Sequence, residues 1–243
     1  MNYIKTNQLR IITLAASLLL FGVTSQALVI TGGGTGGTST SNLGAYTGSF
    51  DYTAFSDTSA QIQISLTNTS AASNGGYLTA IAFNNPSNYI QSSTLTMSGN
   101  TNFSILPSDG NVINTGDELG GDPYGNFDLG ASISNSWIAG GNPNNGLAVD
   151  DSATFTFALT GTNLDTLTAD TFFQTLSSVN GNQSAQAFAV RFRGFEDGGS
   201  DKVIGFAGDP GVAPVPEPST VVLFGMSIFM FGFMALRARN QKK

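Results

Sequence analysis

Apolar and polar positions alternate strictly in three stretches of the chain. In QIQISLTN, residues 61–68, Ile62, Ile64 and Leu66 are separated by Gln61, Gln63 and Ser65. In ATFTFALTG, residues 153–161, Phe155, Phe157 and Leu159 alternate with Thr154, Thr156 and Ala158. In AFAVRFRGF, residues 187–195, Phe188, Val190 and Phe192 oppose Ala189, Arg191 and Arg193. A two-residue period with Thr and Phe enrichment predicts half-buried antiparallel strands. Turn-forming stretches punctuate them: SNGG at 73–76, FNNPSN at 83–88, GGNPNNG at 140–146 and EDGGSD at 196–201. The pattern predicts an all-β body, an antiparallel β-sandwich of Ig-like or jelly-roll type, over residues 46–209. One helix is expected, with Thr168 capping ADTFFQTL and Phe172, Phe173 and Leu176 closing an end of the sandwich. The stretch before the body, residues 28–45, contains TGGGTGGTSTSN and reads as a flexible Gly/Ser/Thr linker.

The two ends carry a different pattern. Lys5 and Arg10, then the apolar run Ile11–Val23, then Ser25 and Ala27 make up a secretory signal over residues 1–27, with cleavage expected between Ala27 and Leu28. Near the other end, Val215, Pro216, Glu217 and Pro218 lie in a Pro-rich linker, residues 210–220. The uncharged run 221–236 comes next, and then a basic tail, residues 237–243, with Arg237, Arg239, Lys242 and Lys243. Sixteen helical residues span about 24 Å, short for a hydrocarbon core of roughly 30 Å. Snorkelling arginines close part of the gap, and a basic terminus stays cytoplasmic, so the central region is expected outside. The prolines around Glu217 hold the backbone extended and remove amide donors, leaving a segment that a processing enzyme can grip.

This order of extended Val-Pro-Glu-Pro, apolar span and basic end, behind a secretory signal, resembles the PEP-CTERM sorting tail of Gram-negative bacterial proteins. Such tails also go under the description ice-binding protein C-terminal domain. The resemblance covers about the last thirty residues. It implies recognition by exosortase, cutting near the motif, and passage from a transient inner-membrane anchor to the cell surface or the exterior. It also implies an association with exopolysaccharide and biofilm formation.

Composition removes many alternatives. The chain has 243 residues with no cysteine and no histidine. Disulfides, Ser-His-Asp and Cys-His nucleophiles and imidazole ligands are therefore excluded. Between Leu28 and Pro218 three basic residues face sixteen acids, a net charge of −13, against −7 for the whole chain. Such a surface repels nucleic acid, and no nucleic-acid partner is expected.

The remaining candidates are weak as motifs. Glu196, Asp197 and Asp201 in a Gly-rich loop are hard oxygen ligands that can hold calcium, although their spacing matches no known calcium loop. Asp109, Asp117, Glu118, Asp122 and Asp128 lie in a second acidic stretch, and a solvated acidic loop is the alternative reading for both. Trp137, the lone tryptophan, is a candidate for stacking on a sugar ring, with Asn135, Asn142 and Asn144 nearby; a core tryptophan is the alternative. Arg191 and Arg193 share a strand face and are expected to pair with Glu196 or Asp201. No residue set specifies catalysis. The expected function is a non-enzymatic surface or matrix protein with a structural or adhesive role at extracellular polysaccharide, and the alternative is a carbohydrate-binding module for one glycan.

Overall fold

A computed structural model describes residues 26–33, 39–100, 102–112, 119–138 and 141–207. The signal segment, the sorting motif, the apolar run, the basic tail, Asp117 and Glu118 lie outside the described residues. The chain divides into two compact units, Met1–Ala207 and Gly208–Lys243, and all the described strands belong to the first.

Thirteen strands and one short helix make up the described part of that unit. They are β1 (Gln26–Gly33), β2 (Ala45–Ser56), β3 (Ser59–Asn68), β4 (Gly75–Phe83), β5 (Ile90–Ser98), β6 (Ser104–Leu106), β7 (Leu119–Gly120), β8 (Asn126–Phe127), β9 (Leu129–Ser132), β10 (Ser152–Gly161), α1 (Ala169–Gln174), β11 (Phe188–Phe195), β12 (Ser200–Ile204) and β13 (Phe206–Ala207). Every pairing is antiparallel. A six-stranded sheet runs β13-β1-β2-β3-β10-β5, a five-stranded sheet runs β12-β11-β4-β9-β6, and β7-β8 form a small hairpin.

The inner faces of the two large sheets share one core. Phe50 of β2 meets Phe83 of β4 edge-on at 6.1 Å, and Phe83 meets Phe157 of β10 at 5.2 Å. The alternation in β3 and β10 translates directly into burial: Ile62, Ile64, Phe155 and Phe157 are fully buried, while Gln63 and Ser152 are exposed. Helix α1 begins where expected. Thr168 and Thr171 form a reciprocal capping box, satisfying donors that the first turn leaves free. Its Phe172 packs on Phe50 and Tyr52, both at 5.3 Å. Leu176 is 57% exposed and does not join the core, because the chain is already extended at Thr175.

The five-stranded sheet is buried on both faces. Ala80, Ala82, Ala189 and Ile204 on its outer side pack with Leu106, Leu119, Tyr124, Phe127 and Trp137. The six-stranded sheet, by contrast, keeps its outer face toward solvent, with alternating exposed and buried positions along β3, β5 and β10.

The expected linker over 28–45 is corrected by the structure. Residues 26–33 form β1, paired along its length with β2 and at Ile30 and Thr31 with β13. Ile30 is fully buried, so the body begins well before residue 46. The expected cleavage point, Ala27–Leu28, falls inside β1, opposite Asp51 and Phe50. At the far end Gly205 carries the chain from one sheet to the other, between β12 and β13. A Cβ there would come within 2.4 Å of the Tyr46 hydroxyl and 2.7 Å of Phe188.

Candidate functional site

Asp201 lies on β12 and is fully buried. Its Oδ2 accepts from Ser39 Oγ at 2.5 Å, Leu43 N at 2.8 Å and Gly44 N at 2.9 Å. Its Oδ1 accepts from Thr40 Oγ1 and Ser41 N, both at 2.9 Å. Burial pushes the carboxyl up, but the donors from Gly44, Ser39, Leu43 and Thr40 outweigh it and hold it below the ordinary carboxylate value. The residue is a clasp that ties the segment Ser39–Gly44 onto β12.

The three candidate calcium ligands differ in setting. Both Asp201 oxygens already accept protein donors. Asp197 is exposed and accepts from Gly199 N at 2.7 Å, closing its own turn, and Glu196 is exposed. Among the described residues no group of three such side chains is placed to hold a metal ion. In the second acidic stretch, Asp128 accepts from Asn85 N at 2.8 Å, Asp122 from Gln183 Nε2 at 3.2 Å and Asp109 from Asn111 N at 3.0 Å. Asp109 thus closes a local turn, whereas Asp128 and Asp122 tie segments distant in the chain.

Trp137 is 1% exposed and packs on Phe127 at 6.3 Å. It therefore packs in the core, the alternative to sugar stacking, and offers no face to a sugar. Arg191 donates from Nη1 to the Trp137 carbonyl and Arg193 from Nη1 to the Gly141 carbonyl, both at 3.1 Å. They tie the loop that carries the tryptophan to β11, whereas the expected partner Asp201 is engaged on the other side of β12 with Ser39–Gly44. Burial, and secondarily Arg193, pushes the Arg191 guanidinium down to about 10. Lys202, directly opposite Arg191 in the strand register, donates to the Asp122 carbonyl.

The open surface of this body is the outer face of the six-stranded sheet. Register sets it out in cross-strand rows: Val29, Ser49, Ser65, Thr154 and Ser98 in one, and Thr31, Thr47, Thr67 and Ser152 in the next. A third row holds Ala27, Asp51, Gln63, Thr156 and Thr96. Across it Ser65 Oγ meets Thr154 Oγ1 at 2.9 Å, and Thr67 Oγ1 meets Ser152 Oγ at 2.7 Å. A shallow depression of about 280 Å³ is ringed by Ser49, Ser65, Thr67, Ser98, Ser152 and Thr154. Asp51 is the one charged side chain among these rows; burial pushes its carboxyl up, opposed by a bond from Ser49. Further along β2, Phe55 is 60% exposed at a bulge in the pairing with β3.

Residues 214–240 match the family model of the PEP-CTERM protein-sorting motif. The chain thus carries the sorting signal that its Val215–Pro218 segment, apolar run and basic end resemble, and that signal marks an exosortase-targeted, exported protein. No curated protein and no solved structure matches the chain.

Proposed function

We propose that the chain is a non-enzymatic surface or matrix protein: exported, held for a time by the run 221–236, processed by exosortase, and then displayed or released as a β-sandwich body. Its role is structural or adhesive, within extracellular polysaccharide. The observation that carries the reading is the sorting motif at 214–240. Supporting it, the chain contains no histidine or cysteine for nucleophilic or general-base chemistry. The acidic side chains Asp201, Asp128, Asp122, Asp109 and Asp197 are each bonded to protein donors. The test is the intact mass of the protein in membrane and extracellular fractions of its producing cell. A product that begins near Leu28 and ends near Pro216–Pro218 supports sorting and release. A product that retains 221–243 in every fraction makes the span a permanent anchor and ends this reading.

A further inference from the structure

We propose that the outer face of the six-stranded sheet binds an uncharged polysaccharide, seated in the depression bounded by Ser49, Ser65, Thr67, Ser98, Ser152 and Thr154 and extending along β2 toward Phe55. The proposal rests on the reading of the chain as an exported matrix protein and adds to it a site and a ligand class.

The asymmetry between the two large sheets comes first. The five-stranded sheet has its outer side covered by Trp137, Phe127, Tyr124 and the residues around them. The six-stranded sheet has no such cover among the described residues, and its outward positions along β5 are exposed. The open face is also chemically unlike the rest of the body. In a region of net charge −13, the rows through Val29, Thr31 and Ala27 present mainly hydroxyl and amide side chains, with the exposed Val29 at one edge and a single carboxylate, Asp51.

Charge decides among polymer ligands. The acidic body repels an anionic polymer at long range. A cationic one is drawn by the acidic body at long range, but on this face it finds a single, half-buried carboxylate to pair with. A neutral polyol meets neither obstacle. Hydroxyl groups suit it because each offers one donor and two acceptor sites. The pairs Ser65–Thr154 and Thr67–Ser152 use one bond each and keep capacity for a ligand, while that bond fixes their orientation in advance.

The geometry fits a chain ligand better than a small molecule. Side chains within a cross-strand row stand about 4.8 Å apart and successive rows along a strand about 6.6 Å apart, both comparable with one pyranose unit, so the face repeats at polymer scale. The depression is open and shallow rather than enclosing, as an internal segment of a long chain requires. Phe55, the extra residue of the bulge between Ala54 and Ser56, lies six residues on from Ser49 along β2, at roughly 20 Å. An exposed aromatic at that distance offers the stacking surface that Trp137, in the core, does not.

The test uses the exported product of the full chain in affinity electrophoresis through gels containing dextran, laminarin or hydroxyethyl cellulose, with alginate as the anionic comparison. Retardation by at least one neutral polymer and not by alginate is expected. Ser98→Lys, an exposed edge-strand change that fills the rim of the depression, should weaken it about tenfold, equivalent to about 1.4 kcal/mol. Phe55→Ala and the pair Ser65→Ala with Thr154→Ala should each weaken it severalfold, with melting curves confirming that every variant is folded. Neutral-polymer binding unaffected by these changes would place the glycan site elsewhere, overturning this inference while leaving the matrix reading intact. Absence of retardation by all three neutral polymers, stronger retardation by alginate, or self-association abolished by Ser98→Lys would also overturn it. Failure of the matrix reading shows separately, in the masses of the processed protein.

Discussion

At Asp201 a single carboxylate holds a segment whose residues, Ser39–Gly44, have almost no apolar side chains with which to hold themselves. Five donors converge on it, and removing the charge strands several of them in a buried place. Asp201→Asn is expected to destabilise the body by about 3 kcal/mol, read as a lower urea midpoint at pH 7. The pH dependence has a defined sign. The unfolded carboxyl takes up a proton near pH 3.9, and the folded one only at lower pH. The stability it contributes is therefore complete above the unfolded value and is lost as pH falls from there through the folded value. In the Asn variant this part of the acid loss should vanish, and an unchanged difference between pH 7 and pH 3 would contradict the clasp. Asp51 works in the opposite sense. Its folded pKa is raised by burial, so its ionisation costs stability as pH rises through that value. Asp51→Asn should leave the melting temperature at pH 7 equal or higher, and a clear fall would show that the carboxylate has a stabilising partner. None of these roles was legible in the sequence. EDGGSD at 196–201 looks like one acidic cluster, yet strand β12 turns Asp201 inward while Glu196 and Asp197 stay on the turn. Between stacking and core packing Trp137 stayed open for a related reason: composition cannot say that the outer side of a sheet is itself covered.

Among the elements, β3, β10 and β11 were plain in the sequence because one face of each alternates cleanly, and α1 because Thr168 stands before an amphipathic run. Strand β1 was hidden, although Leu28-Val29-Ile30-Thr31 is rich in strand formers, because in the sequence it follows the apolar run Ile11–Val23 and precedes a run of glycines. Strand β4 was obscured for the opposite reason. It is buried on both sides, so GGYLTAIAF shows no polar alternation. The location of β1 within the sheet can be tested at Ile30, which is fully buried between β2 and β13. Ile30→Ala should cost about 2–5 kcal/mol, as core truncations do, whereas a linker residue would change stability by less than about 0.5 kcal/mol. A chemical-denaturation midpoint shifted by the smaller amount would return residues 28–33 to the linker.

On the scale of the whole molecule, address and body are written in separate parts of the chain. The sorting motif occupies 214–240, while the described strands end at Ala207 and that compact unit closes there. The address was legible because its parts are read by composition and order alone: two prolines around a glutamate, an uncharged run and a basic end. The binding face was not, because it exists only once register lines up serines and threonines from β2, β3, β10 and β5, residues up to about a hundred positions apart in the chain. If the two parts are independent, each should work without the other. A chain ending at residue 209 should melt within about 0.5 kcal/mol of the processed full-length product, and it should bypass the membrane-held stage. Residues 210–243 fused behind an unrelated secreted domain should bring that domain to the same fate as the native protein. Replacing Glu217 by Ala in the fusion should leave it membrane-held at its unprocessed mass. Should the truncated chain melt well below the full-length product, the tail is part of the fold. Should the fusion ignore the Glu217 change, some other feature of the tail directs its handling.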